Sequence, residues 1–253
     1  MRNTTGDASG VRQAHGEGDG GVMATVELIQ GDCLEVMRGM PDKSVDAVIT
    51  DPPYGIGYQS ARRIDKNDRF DIIKGDKELS FEWMTEAKRI TKDSGFIFCF
   101  CRWDTEHLFF NALVETGYKV QSQVIWDRGI HGLGDLKRQY APMHDNALFA
   151  TLSGYEFPRH RPKSIYRVDR LSADKLVHPT QKPVSLIKLI INDLTIKDAI
   201  ILDPFAGSGT TGIAAIQTER QSILIEIDPT YFAIAQERIR VAQMQPNLFE
   251  ATQ

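Results

Sequence analysis

Four consecutive residues, Asp51, Pro52, Pro53 and Tyr54, follow the apolar run SVDAVIT and gather a carboxylate, two rigid backbone units and a phenol ring. Proline donates no backbone hydrogen bond, so a strand that reaches a Pro-Pro step must end there. The chemistry open to this set is the handling of an exocyclic amine on a nucleobase. The lone pair of such an amine is delocalised into the ring, which makes it a poor nucleophile. The Asp51 carboxylate and the Pro52 carbonyl can accept its two N–H bonds and favour a tetrahedral nitrogen. Proline restricts the dihedrals on both sides and holds these acceptors in place. The Tyr54 ring can stack on a base that has left its duplex. The plainer reading is a strand exit with a surface tyrosine.

A second constellation is DPFAGSGTTG, residues 203–212, between a strand-like run and a helix-like one. Its glycines permit a tight turn and close approach of a ligand to the backbone. The helix start offers free N–H groups to a carboxylate or phosphate. Glu226 ends the next strand, 17 residues after Gly209 (226 − 209), where a carboxylate can accept both hydroxyls of a ribose. GSGTTG fits the GxGxxG fingerprint, which serves a dinucleotide, S-adenosylmethionine or plain close packing.

The elements that must position these residues follow from periodicity. VELIQGD (26–32), SVDAVIT (44–50), GFIFCF, YKVQSQVIWD, DNALFATL, AIILDPF and QSILIEID read as seven strands. CLEVMRGM, SFEWMTEAKRIT with Ser80 as N-cap, DTEHLFFNALVETG stopped by Gly117, PVSLIKLIINDLT, SGTTGIAAIQTE and PTYFAIAQERIRVAQM read as helices. The alternation predicts an α/β fold, a doubly wound, mostly parallel sheet with helices on both faces. The C-terminal unit gives strand, helix, strand, helix and lacks the third strand of a mononucleotide-binding half. VELIQGD can fill that slot, which predicts a circularly permuted order with neighbouring termini.

The chain has 253 residues, 42% hydrophobic and 25% charged, enough for one large α/β domain with a full core or for two small ones. Residues 1–23 are rich in Gly and small polar residues and read as a disordered extension, with Met23 an alternative start. No apolar h-region and no apolar run of roughly 18 residues occurs, so a cytoplasmic protein is expected. Cys33, Cys99 and Cys101 contain no CxxC and read as reduced structural cysteines; no metal cluster stands out. The net charge of −4 argues weakly against a nucleic-acid binder. Nucleic-acid contact needs only a local patch, and Arg159, Arg161, Lys163, Arg167, Arg170 and Lys175, beside Phe157 and Tyr166, supply a candidate. A solvated loop is the other reading of that run.

TDPPYG, HPTQKP and DPFAGSGTT, in that order, resemble the beta-class DNA amino-methyltransferases. GDCLEVM, PDKSVDAVITDPPYG, VIWDRG and EIDPTYFAIAQERI extend the resemblance over residues 26 to 243. It implies a class I methyltransferase fold in permuted order, one domain over 24–243, and transfer of a methyl group from S-adenosylmethionine to an amine of double-stranded DNA. Asp51, Pro52 and Tyr54 would bind the amine, with Pro53 shaping the turn. The cofactor loop would fall on Phe205, Ala206, Gly207, Ser208, Gly209 and Thr210, with Asp203 at its root. Glu226 would bind the ribose and Asp32 the adenine amino group, with Ile227 and Cys33 packing nearby. His178, Pro179, Thr180 and Lys182 would lie near the methionine end; His178 as a cap on the following helix is the alternative. Trp126 would stand near the extruded base, or in the core. DPPY in this family usually accompanies adenine N6, and SPPY cytosine N4.

Target recognition would fall to three insertions, about 55–77, 129–140 and 154–175, where Arg and Lys contact phosphates. Arg62 and Arg63 belong to the first, a long loop that also carries Asp65, Asp68 and Asp71. A short reader suggests a short site or help from a second subunit, a homodimer. The tail 244–253 reads as flexible. Its Gln245, Leu248 and Phe249 are similar to the peptide by which bacterial replication proteins dock on the sliding clamp, unless both apolar residues fold back. An NAD-dependent oxidoreductase gives no reason for DPPY. A silent binding module, or a methyltransferase acting on RNA or on protein glutamine, keeps similar motifs.

Overall fold

The structure is a computed structural model that describes residues 24–55, 79–132, 136–172, 176–178 and 180–244. Eight strands occur among these residues: Val26–Gln30 (β1), Val45–Thr50 (β2), Thr91–Cys101 (β3), Lys119–Asp127 (β4), His144–Thr151 (β5), Ile165–Arg167 (β6), Ile200–Asp203 (β7) and Gln221–Glu226 (β8). Six helices accompany them: Cys33–Arg38 (α1), Glu82–Ile90 (α2), Glu106–Glu115 (α3), Val184–Leu194 (α4), Thr210–Gln217 (α5) and Pro229–Met244 (α6). The seven strands read from sequence all form. The eighth, β6, is only three residues long and lies inside the basic segment, which shows no apolar run.

The sheet order is β1-β8-β7-β2-β3-β5-β4-β6. Neighbours are parallel except around β5, which runs antiparallel to β3 and β4. Central strands are buried on both faces, so β2 and the later part of β3 read as continuous apolar runs. Along β3 the period of two sorts its side chains. Phe96, Phe98 and Phe100 pack with α4 residues Leu186, Ile190 and Ile191. Ile97, Cys99 and Cys101 pack with Trp83 and Met84 of α2 and Phe109 and Leu113 of α3. Each such side chain contributes about 1.5–3 kcal/mol when fully buried.

β1 pairs with β8 in parallel register, Val26 against Ser222 through Gln30 against Glu226. It therefore occupies the third-strand slot of the C-terminal unit, as the permuted order requires. From the central pair β2 and β7, chain connections run outward in opposite directions, to β3 on one side and β8 on the other. That reversal opens a crevice at the carboxyl ends of the strands.

Two local expectations are corrected. Ser80 does not cap α2; the helix starts at Glu82 with Phe81 in the cap position and no side-chain cap bond. Asp32 lies beyond the end of β1 and caps α1, accepting from the Leu34 and Glu35 amides. Among the described residues no helix is long and apolar enough to cross a membrane.

Candidate active site

The two motifs read from sequence end the two strands that flank the crevice. Asp51 follows β2, and Pro204 follows β7. The strands are tied just below these loops by Thr50 Oγ1, which donates to Asp203 Oδ1 at 2.9 Å. Thr211 Oγ1 donates to Asp203 Oδ2 at 2.6 Å, and the Phe205 amide to Oδ1 at 3.2 Å. Asp203 is thus an internal anion at the first turn of α5, its carboxyl pushed up to about 6 by burial. It does not line the large cavity, so its place is under the cofactor-type loop rather than in it. Sequence spacing could not separate these two positions.

Asp51 lies between two donors. The Tyr54 hydroxyl donates to Oδ1, and the Lys182 ammonium pairs with Oδ2. Lys182 is buried and also stands 4.8 Å from the centre of the Phe100 ring. The expected place of Lys182, beside a cofactor's methionine end, did not anticipate this pairing. Tyr54 packs edge-on to Phe109 at 6.3 Å, and burial with the nearby Asp51 charge pushes its phenol well above the ordinary tyrosine range.

On the other side, Gly207 adopts φ +52°, and its amide donates to Glu226 Oε2 at 2.7 Å. The Asp228 amide donates to Oε1 at 2.8 Å. Burial raises the Glu226 carboxyl to about 7. The His178 ring lies over Gly207, where an added Cβ would meet it at 3.4 Å, and packs against Tyr231 at 4.2 Å. Burial, then Lys182 and Arg238, lower the imidazole to about 4, so it is neutral. His178 does not cap α4, whose cap position is Pro183. Gly209, at φ +76°, faces α6 instead, its Cβ position 3.0 Å from Ala235. The Thr210 hydroxyl is buried without a hydrogen-bond partner, on a small cavity of about 50 Å³. Burial, aided by Asp32, raises the Cys33 thiol to about 12, so it is a packing residue.

One cavity of about 720 Å³ joins the two sides. Gly31, Asp32, Cys33, Phe205, Gly207, Glu226 and Ile227 line one part; Asp51, Pro52, Pro53, Tyr54, Trp126 and Lys182 line another, and His178 and Thr180 stand among them. Ala206, Ser208 and Thr210 line the small cavity instead. Pro179 lies outside the described residues. Trp126 is both wall and core: it is 5% exposed and its indole N–H donates to the Val168 carbonyl at 2.8 Å.

The basic segment divides. Arg159 Nη1 donates to the Asn192 carbonyl at 2.6 Å, near the end of α4, and the Tyr155 hydroxyl donates to the Leu194 carbonyl at 3.1 Å. That is the amino end of the parallel strands, opposite the cavity, because β5 brings the chain back down. Arg161 and Lys163 follow on the exposed stretch that leads to β6. The chain returns along β6: Arg167, its last residue, pairs with Asp127 at 3.5 Å, and Arg170 beyond it lines the cavity. Of the flanking aromatics, Tyr166 is buried and bonded to Asp193 at 2.9 Å, while Phe157 stacks on Phe149 at 5.7 Å with its other side exposed. Lys175, Arg62, Arg63, Gln245, Leu248 and Phe249 lie outside the described residues.

Trp83, Trp103, Arg128 and Tyr231 also line the cavity; Arg128 and Tyr231 stand in VIWDRG and EIDPTYFAIAQERI without an assigned role, and Trp103 stands in no motif. Trp83 meets Phe205 edge-on at 5.2 Å. Trp103 and Arg128 each follow the carboxyl end of a strand, β3 and β4. The rule that singled out Asp51 applies to them as well.

The sheet order and the crevice at its switch point define a class I methyltransferase fold. Residues 45–237 match the model of the N6/N4 family described as DNA methylase, and the chain belongs to that family. It is similar to YubD of Escherichia coli (strain K12), 31% identical over 220 residues, 85% of this chain and 91% of that protein. It is also similar to the Type II methyltransferase M2.MboI of Moraxella bovis, 28% identical over 240 residues, 83% of this chain and 86% of the relative. The crystal structure of the M1.HpyAVI–SAM complex superposes with a TM-score of 0.65 at 27% identity, over 85% of this chain and all (100%) of that one.

Proposed function

We propose that the chain transfers a methyl group from S-adenosylmethionine to the N6 amine of an adenine extruded from double-stranded DNA. The observation that carries this is the single cavity running from Gly207 and Glu226 to Asp51 and Tyr54. Its volume is of the order needed by a ligand of this size with room beside it.

The residues present fit the cofactor. Glu226 keeps an unused lone pair on each oxygen for ribose hydroxyls. Asp32 offers Oδ2 to an amino group, since Oδ1 serves the cap of α1. Phe205, Ile227 and Cys33 supply apolar wall, and the neutral His178 ring adds no charge beside a cationic ligand. When bound, the cofactor supplies a methyl group already activated by its sulfonium charge.

The protein's share is alignment and electrostatics. Asp51, with the Pro52 carbonyl, accepts hydrogen bonds from both N–H groups of the target amine and stabilises the positive charge that grows on nitrogen as it gains the methyl; the surplus N–H proton then leaves by way of the Asp51 carboxylate to solvent. Tyr54 and Lys182 hold that carboxylate in place. Support for adenine is the aspartate that opens the DPPY tetrad; cytosine N4 is the alternative product. Digestion of DNA methylated by the purified chain, followed by mass analysis of the nucleosides, tests the reading. N6-methyl-2′-deoxyadenosine is expected. N4-methyl-2′-deoxycytidine would reassign the base, and no methylated nucleoside would sink the activity.

A further inference from the structure

Three tryptophans border the large cavity. Trp83 and Trp126 are buried, 3% and 5% exposed, whereas Trp103 is 68% exposed. Its place is the turn between β3 and α3, and that turn is stiff. Arg102 grips Asp104 through Nε at 2.8 Å and Nη2 at 2.6 Å, and the Thr105 amide donates to the Arg102 carbonyl at 3.2 Å. An indole presented this way keeps a large apolar face in water, and stacking on it immobilises little that is not already fixed.

The same mouth is bordered by a hairpin that continues β4 and β5 beyond the sheet. The Arg128 amide donates to the Met143 carbonyl at 3.0 Å, and the Gly132 amide to the Pro142 carbonyl at 2.7 Å. The Arg128 side chain donates to the Pro142 carbonyl at 2.6 Å and pairs with Asp145 at 3.3 Å, which fixes the base of the hairpin. Between Gly132 and Pro142, the described residues Leu136, Lys137, Arg138 and Tyr140 are exposed, and Gln139 lines the cavity.

We infer that Trp103 and this hairpin form the DNA-docking rim of the cavity, with Trp103 stacked on a nucleobase at the mouth. The inference rests on the DNA reading above. The pairing of an aromatic face for a base with Lys137 and Arg138 for phosphates selects nucleic acid as the occupant. The rival occupant is a second copy of the chain, since Leu108, Phe110 and Val114 on the adjoining α3 are also exposed.

Acrylamide quenching of the full chain, wild type against Trp103→Phe and Trp103→Ala, with and without unmethylated duplex DNA, decides this. Duplex should shield the quenchable emission of the wild type, and neither variant should retain that signal. Trp103→Ala should lose about 5- to 150-fold in DNA affinity, the worth of one base stack, and Trp103→Phe less. S-adenosylmethionine affinity, measured separately, should not move. Unchanged DNA affinity in Trp103→Ala overturns the inference. So does a change in sedimentation of that variant without DNA, which would place a second copy on this face. Failure of the wild type to methylate any DNA would instead defeat the proposed function, and the quenching result is read independently of it.

Discussion

Lys182 and Asp51, 131 residues apart in the chain, form an ion pair at the floor of the cavity, their side chains 8% and 18% exposed. The Tyr54 hydroxyl takes the other carboxylate oxygen. The carboxylate is therefore held in orientation before any substrate arrives, by a motif to which the family resemblance assigns a different task.

Lys182→Met should lower turnover by at least about tenfold, a 1.4 kcal/mol rise in the barrier, while cofactor affinity stays close to wild type. Lys182→Arg should restore part of the rate. Single-turnover kinetics with calorimetric cofactor titration checks both. Equal loss of cofactor affinity would return Lys182 to the methionine end.

Asp51→Ala should lose most turnover and keep cofactor binding. It also strands a buried ammonium, a change that typically costs about 3–5 kcal/mol. Asp51→Ala with Lys182→Met should then be more stable than Asp51→Ala alone, as urea unfolding of the set will show.

Glu226 carries the clearest pH signature. Its carboxyl is raised from 4.5 to about 7, so its stabilising contribution is present below the unfolded value and is lost as pH rises through 7. Asp203, raised from 3.8 to about 6, acts in the same direction at lower pH. The cofactor-free protein should lose Tm between pH 5 and pH 8, and Glu226→Gln should flatten the upper part of that slope. Cofactor affinity should move oppositely, rising with pH through 7 as the carboxylate forms. Scanning calorimetry and titration across the same buffers test the two signs together.

Gly209→Ala forces a side chain into φ +76° and to 3.0 Å from Ala235 on α6. A stability loss of about 1–3 kcal/mol is expected. Because this glycine faces α6 rather than the cavity, cofactor affinity corrected for the folded fraction should hold.

Arg159→Ala should leave DNA affinity and its salt dependence unchanged, since Arg159 bonds Asn192 at the far end of the sheet. Arg170→Ala should weaken binding and reduce the slope of log affinity against log salt by about one. Filter binding over a salt series compares them.

Much of this molecule is legible in its residues. The strand-helix alternation is strong because central strands are apolar throughout, and the missing third strand after β8 predicts the seat of β1. DPPY and the glycine loop can be placed in one crevice because both follow strands that end at the switch point. What escapes is whatever depends on side-chain reach or on chain direction. Spacing cannot tell that Lys182 turns to Asp51, that Asp203 turns inward to Thr50 and Thr211, or that Gly209 serves α6. The basic segment misleads for another reason. Composition counts its arginines together, while the return of the chain around β6 puts them at opposite ends of the sheet.

The bond from Thr50 to Asp203 joins the roots of both motif loops. That bond and the pairing of β2 with β7 set the spacing of the two loops at their roots when the sheet forms. On the DNA reading proposed above, discrimination among substrates rests on what is delivered into that spacing.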